Sequence, residues 1–144
     1  MKKTRICKLL GIQYPILQGG MLWLADARLA AAVSNAGGLG VISPMAGMRP
    51  HGNPVKNLDK QITRARKLTD KPIGVNIPLD LRDCGLIMDV IMGHQVPVVV
   101  TAAGDPSLYT ELLKSAGTRV LHVVSSVKHA KGAEKAGVEA VVAE

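Results

Sequence analysis

Aromatic residues are scarce in this sequence of 144 residues: they make up 2% of it, and phenylalanine is absent. A core without aromatic rings must be built from Ala, Val, Leu, Ile and Met. The hydrophobic content of 47% is enough for one globular domain with a sizeable core. This composition is typical of helices that pack closely on a buried sheet, and it argues against disorder.

Cysteines and long apolar runs are also few. Cys7 and Cys84 are too far apart to match a C-x-x-C zinc or redox site, so we interpret both as reduced thiols and expect no metal site. No run approaches the ~20 apolar residues of a membrane span, and no apolar segment follows the charged N-terminal residues as it would in a signal peptide. We therefore expect a cytoplasmic protein with no membrane partner.

Basic residues outnumber acidic ones by 18 to 11, which gives a net charge of +7. A positive surface favours anionic partners such as phosphates or an acidic carrier protein. The basic residues are spread along the chain without interleaved aromatic residues, so nucleic-acid binding is not expected.

Short β-branched runs alternate with amphipathic stretches along the chain. Each strand-like run is nearly continuous in apolar residues, which indicates a parallel sheet covered on both faces, in the α/β class. Three of the predicted helices end in Ala-Gly, and each is followed by a strand. This repeated order of helix, glycine and strand favours a (β/α) barrel over a two-layer fold. The predicted strands are 14–18, 39–43, 73–77, 96–101, 120–124 and 139–143, and the predicted helices are 25–36, 55–68, 84–92, 106–116 and 127–136.

The stretch 15–21 is a short apolar strand that runs into a glycine pair, Gly19 and Gly20. Glycines at a strand end let the backbone approach a flat or anionic ligand without a Cβ in the way. Many α/β proteins use the same junction for tight packing alone. The pattern by itself leaves both interpretations open.

Four motifs, at 15–21, 36–40, 71–76 and 136–144, resemble in order and spacing the FMN-dependent TIM-barrel family. That family contains the nitronate monooxygenases (2-nitropropane dioxygenases) and the flavin-dependent enoyl-acyl-carrier-protein (enoyl-ACP) reductases. The resemblance implies a (β/α)8 TIM barrel. Since the sequence supplies about six βα units, we expect residues 1–144 to be a single domain, the N-terminal portion of an FMN-binding barrel.

The same resemblance implies the cofactor contacts. Gly19, Gly20 and Met21 match the first βα loop, whose backbone lies against the isoalloxazine ring of FMN and can donate to it without adding a charge. Asn76 matches a flavin-contacting Asn, and its carboxamide offers both a donor and an acceptor to the N3–H and O2 edge of the ring.

Other residues at the same strand ends have weaker assignments. Gln18 either contacts the ring or satisfies a neighbouring loop, and Glu144 matches a family position near the flavin. Ser125, Ser126 and Lys128 follow the fifth predicted strand. Ser126 is interpreted as a helix N-cap rather than a cofactor contact, and Lys128 as a solvated lysine rather than a contact to an anionic group.

No catalytic residue is expected within residues 1–144. The family's catalytic His lies in a Gly-x-Glu-Ala-Gly-Gly-His segment after the position that matches Glu144, followed by two Gly-rich strand ends that bind the FMN phosphate. The histidines His51, His94, His122 and His129 match no catalytic position. His122, in a predicted strand, is interpreted as a packed residue.

Three functions are therefore considered. The first is an FMN-dependent oxidoreductase of the nitronate monooxygenase type, which oxidises a nitronate with oxygen. The second is an enoyl-ACP reductase that uses FMN and NAD(P)H on an enoyl thioester; the segments 1–14 and 21–26 look closer to it. The third is an inactive fragment that lacks the catalytic His and the phosphate-binding strands. The open sheet edge of an incomplete barrel predicts a homo-oligomer.

Overall fold

The structure, a computed structural model, describes residues 3–48 and 52–144 and consists of one parallel sheet with helices between successive strands. The strand order is sequential and every neighbouring pair is parallel, which is the order of a (β/α) barrel. The strands are β1 (Gly40–Ile42), β2 (Ile73–Pro78), β3 (Val98–Ala102), β4 (Arg119–Val124) and β5 (Ala140–Ala143). The helices are α1 (Arg5–Leu10), α2 (Ala27–Asn35), α3 (Pro54–Arg66), α4 (Cys84–Gly93), α5 (Ser107–Ser115) and α6 (Val127–Lys135).

The ends of the helices follow from local chemistry. The Asp26 carboxylate accepts the free N–H groups at the start of α2, and Ser126 caps α6 as predicted. The three Ala-Gly endings place Gly37, Gly117 and Gly137 in the left-handed region, with φ of 94°, 84° and 80°. Glycine adopts this conformation without steric cost, so the predicted helix stops are confirmed.

Alternate residues of each strand point to opposite faces of the sheet and form two cores. The outer core lies between the sheet and α2 to α5, and its strand residues are Ile42, Ile73, Val75, Ile77, Val99 and Val120. The inner core is closed at one end by α1, and its main residues are Cys7, Leu10, Ile12, Leu39, Val41, Val98, Val100 and Leu121. Both cysteines are buried and free.

The prediction of a strand over 14–18 is wrong. Only Leu17 forms an isolated parallel bridge, to Leu39, so the described residues contain five strands rather than the six expected. The bridge consists of the Leu39 N–H bound to the Ile16 carbonyl and the Gln18 N–H bound to the Leu39 carbonyl, each at 2.9 Å. Pro15 has no N–H with which to extend this ladder. The segment nevertheless lies beside β1, where the predicted first strand belongs.

Helix α1, which has only six residues, was not predicted. Helix α2 buries one face, including Ala30, and exposes Arg28. A Cβ on Gly40 would overlap the Ala30 backbone, so glycine at the start of β1 lets this helix pack closely. No helix in the described part of the chain is long and apolar enough to cross a membrane.

Candidate functional site

The carboxyl ends of the parallel strands meet at one edge of the sheet, where α/β barrels bind their ligands. Gly19, Gly20 and Met21 follow the Leu17 bridge at this edge, and Asn76 lies in the second half of β2. The structure therefore collects most of the predicted contacts on one side of the molecule.

Gln18 explains why the chain leaves the sheet at the glycine pair. Its side-chain oxygen accepts the Val41 N–H at 3.1 Å, and its side-chain nitrogen donates to the Val41 carbonyl at 3.0 Å. In a continued ladder, backbone groups of the 14–18 segment and its extension would make these two bonds. The side chain takes their place and also donates from Nε2 to the Gly19 carbonyl, so only the Gly19 N–H is left without a partner in the ladder. These contacts support the loop-satisfying alternative for Gln18, and a ring contact stays a prediction.

The segment from Gly19 to Met21 presents backbone donors. Within residues 3–48 and 52–144, the N–H groups of Gly19, Gly20 and Met21 have no hydrogen-bond acceptor. Gly19 and Gly20 are exposed, and a Cβ built on Gly19 meets no atom within 4 Å. Three adjacent unpaired N–H groups beside open space are suited to a ligand with several acceptor atoms.

Asn76 lies directly against this segment. A Cβ on Gly20 would overlap the Asn76 carboxamide, so Gly20 has a structural reason to be glycine, independent of any ligand. The half-buried Asn76 donates from Nδ2 to the Val100 carbonyl at 3.0 Å. Its Oδ1 receives no hydrogen bond from any described residue, so this acceptor is free.

The residues after the glycines are held by their backbone while their side chains face solvent. The Ser43 hydroxyl donates to the Leu22 carbonyl at 2.9 Å, and the Gly47 N–H donates to the Trp23 carbonyl at 2.8 Å. Trp23 is 52% exposed and Leu24 71% exposed. This role of Ser43 was not predicted, because its only signal in the sequence is a hydroxyl at the end of an apolar strand.

The remaining predicted residues lie along β4 and β5. Glu144 is exposed and donates its N–H to the Val124 carbonyl at 3.0 Å; no hydrogen bond or ion pair of the described residues joins it to the glycine segment. The prediction that Ser126 is an N-cap is confirmed, since its hydroxyl accepts the His129 N–H. Lys128 is exposed.

His122 is buried, as predicted, with 5% of its surface exposed. Its Nδ1 lies 2.8 Å from the Thr101 hydroxyl. Burial lowers the pKa of His122, and neighbouring His129 lowers it further, while Asp105 opposes both. His51 lies outside the described residues.

A cavity of about 620 Å³ lies at the opposite edge of the sheet and is lined by Lys3, Lys8 and Lys71 among others. That edge is where barrel strands begin, and residues there usually serve stability. We therefore place the candidate site at the segment from Gly19 to Met21 rather than in this cavity.

Comparisons with known proteins identify the family and the fold. A family model described as nitronate monooxygenase matches residues 3–89. The (3aS,4S,5R,7aS)-5-hydroxy-7a-methyl-1-oxo-octahydro-1H-indene-4-carboxyl-CoA dehydrogenase of Rhodococcus jostii is 35% identical over 97% of this chain and 38% of its own length. A probable nitronate monooxygenase of Staphylococcus aureus is 30% identical over 99% of this chain and 48% of its own.

Solved structures of related proteins have the same fold. FabK from Thermotoga maritima superposes with a TM-score of 0.90 and 43% identity, over 99% of this chain and 44% of FabK. A nitroalkane oxidase from Streptomyces ansochromogenes superposes with a TM-score of 0.80 and 24% identity, over 98% of this chain and 48% of the oxidase. At this identity the match supports the fold alone. The fold is thus a partial TIM barrel, and the chain spans less than half the length of these proteins.

Proposed function

The chain belongs to the nitronate monooxygenase family, and from this premise we propose that it is the N-terminal, flavin-binding part of an FMN-dependent oxidoreductase. The observation that carries the proposal is the unpaired backbone of Gly19, Gly20 and Met21 beside the free Oδ1 of Asn76. The similarity to flavin-dependent relatives supports the choice of cofactor.

The residues present fit an isoalloxazine ring. The ring has acceptors that suit the backbone N–H donors, and its N3–H suits the free Oδ1 of Asn76. The open space at Gly19 would admit a flat ring against the backbone. Bound FMN would supply the centre that takes up electrons from one substrate and passes them to another. In this proposal the chain's own residues bind and orient the ring and tune it through uncharged donors.

We place thioester reduction ahead of nitronate oxidation as the activity of the whole protein. FabK, an enoyl-ACP reductase, and the CoA-thioester dehydrogenase are 43% and 35% identical to this chain, against 30% for the probable nitronate monooxygenase. The exposed apolar side chains of Leu22, Trp23 and Leu24 suit an acyl chain. The net charge of +7 suits an acidic carrier protein.

Nitronate oxidation is the alternative, supported by the description of the matching family model. The inactive-fragment alternative applies to residues 1–144 alone, and the short coverage of the relatives supports it. For residues 1–144 alone we also propose association through the sheet edge, because Val141 of β5 is 43% exposed on a strand with one unpaired side.

One anaerobic titration separates these functions. The purified protein is reconstituted with FMN, and the visible absorbance of the flavin is followed. A reductase loses this absorbance with NADPH or NADH and regains it with an enoyl thioester; a nitronate oxidase loses it with a nitronate and regains it with oxygen. A whole protein that takes up no FMN would contradict both enzyme proposals, whereas residues 1–144 that take up no FMN on their own would support the fragment alternative.

A further inference from the structure

A groove of about 450 Å³ lies between α4 and α5, on the helix side of the sheet. Leu86 of α4 and Leu112 of α5 line it, and Leu108 lies one turn before Leu112 on the same helix. Leu86 and Leu108 are each more than half exposed, and Leu112 is 45% exposed. Because these leucines lie on two successive helices, they form one apolar patch rather than scattered surface residues.

The rest of a barrel is not expected to cover this patch. In a (β/α) barrel the outer helices form a ring in chain order. Helices α3 and α6, which come before α4 and after α5, are both part of the described chain. A longer chain would add its barrel helices beyond α6, so a cover for the patch would come from another molecule.

The charges around the groove identify which molecule fits. Arg82, Asp83 and Asp89 line the groove, so its charged residues are not predominantly basic. The neighbouring helices expose lysines instead: Lys56 and Lys60 on α3 and Lys128 and Lys131 on α6. Two copies of a chain with a net charge of +7 repel each other. They approach most easily through a face that is not basic.

Arg82 and Asp89 are available for an intermolecular pair. Both are exposed, and no ion pair in the described parts of the chain involves either of them. Arg82, Leu86 and Asp89 follow one another at helical spacing, so they share one side of α4.

This arrangement is self-complementary. In a two-fold symmetric dimer the same face of each copy contacts the other. A two-fold axis between Gly85 and Leu86 would run the two α4 helices antiparallel. Arg82 of each copy would then face Asp89 of the other. Each Leu86 would face the exposed Gly85, which has no side chain to obstruct it.

We propose that this face binds a second copy of the chain about a two-fold axis, with the leucines at its centre and two Arg82–Asp89 ion pairs at its rim. None of these residues belongs to the candidate flavin site. The interface also differs from the sheet-edge association of residues 1–144 alone, which a strand following β5 would prevent in the whole protein.

Charge reversal tests the pairing by sedimentation of the whole protein. Arg82→Glu and Asp89→Arg should each raise the Kd of the dimer about tenfold, because each replaces two attractive pairs by two repulsive ones. An equal mixture of the two variants should associate as tightly as the wild-type protein, since every pair in the mixed dimer again joins opposite charges. Pairing of the two residues within one chain could not be rescued by mixing.

Leu112→Ala tests the apolar centre, and Leu68→Ala is its matched control. Leu68 follows α3, outside the patch, and is 46% exposed, which matches the 45% of Leu112. Leu112→Ala should raise the Kd about tenfold, because symmetry removes the buried area twice. Leu68→Ala should leave the Kd unchanged.

Cross-linking separates this face from the sheet edge. Under a mild thiol oxidant, Leu86→Cys should form a covalent dimer and Val141→Cys should not; the native Cys7 and Cys84 are buried. The reverse pattern, a monomeric wild-type protein, a mixture no tighter than the single variants, or equal effects of Leu112→Ala and Leu68→Ala would each overturn the proposal. None of these readouts depends on FMN or turnover, so the proposed function is tested separately.

Discussion

Substitution of Gly19 by alanine separates a ligand contact from a packing requirement. An added Cβ at Gly19 meets no atom within 4 Å and the residue is not in the left-handed region, so the fold should tolerate the change. Replacing a loop glycine with alanine stabilises a folded protein by roughly 0.4–1 kcal/mol when the conformation is compatible. We therefore expect the free energy of unfolding of Gly19→Ala, measured in urea, to be unchanged or slightly higher.

Binding of FMN should respond in the opposite direction. If the flavin ring lies against the Gly19 backbone, the methyl group intrudes on it, and overpacking of this kind costs about 1–3 kcal/mol. This corresponds to a roughly five- to 150-fold higher Kd, measured by quenching of FMN fluorescence. Gly20→Ala cannot serve the same purpose, because its Cβ would overlap Asn76 and disturb the protein itself.

Gly93→Ala is the control for this experiment. Gly93 also has open space for a Cβ, but it ends α4, near the edge of the sheet where the strands begin. Its Kd for FMN should equal that of the wild-type protein. Wild-type affinity in Gly19→Ala would refute the placement of the ring against this segment.

Three further results are expected. Asn76→Ala should weaken FMN binding or shift its redox potential, because each lost hydrogen bond is worth about 1 kcal/mol; an unchanged Kd and potential would leave Asn76 a structural residue. Burial lowers the pKa of His122, so its contribution to stability is complete above its ordinary value of 6.5 and is lost as the pH falls through the lowered pKa. His122→Asn should therefore flatten the loss of stability below that pH in urea unfolding, and parallel profiles would contradict this. Ser43→Ala should lower the free energy of unfolding by about 1 kcal/mol by removing the bond to the Leu22 carbonyl, whereas no change would mean that the hydroxyl does not hold the loop.

The parallel sheet could be predicted because its signals are local. Apolar runs and Ala-Gly helix ends depend on neighbouring residues only, and Gly37, Gly117 and Gly137 adopt the expected conformation. The strand over 14–18 could not be excluded in this way, since it ends early when the Gln18 side chain binds the backbone of Val41, 23 positions away. Such a long-range contact has no signature in the local sequence.

The site shows the same division. A glycine pair after an apolar run indicates that another group approaches the backbone closely. It does not indicate whether that group is a ligand or another part of the protein. At Gly20 the structure supplies a protein neighbour, the Asn76 side chain, while at Gly19 the space is open. The resemblance to a known family predicted that the glycine pair and Asn76 lie together. The periodicity of the sequence alone could not have predicted this. The cavity lined by His122, Ser125 and His129 was not predicted, because its lining joins β4, α6 and the loop after β3.

The central claim is that a flavin binds the segment from Gly19 to Met21 beside Asn76, and backbone NMR during titration of 15N-labelled protein with FMN tests it directly. The largest shifts should occur in the N–H signals of Gly19, Gly20 and Met21 and in the side-chain amide of Asn76, whose donors the structure places at this edge. Largest shifts instead around Lys3, Lys8 and Lys71, which line the cavity at the opposite edge, would contradict the claim.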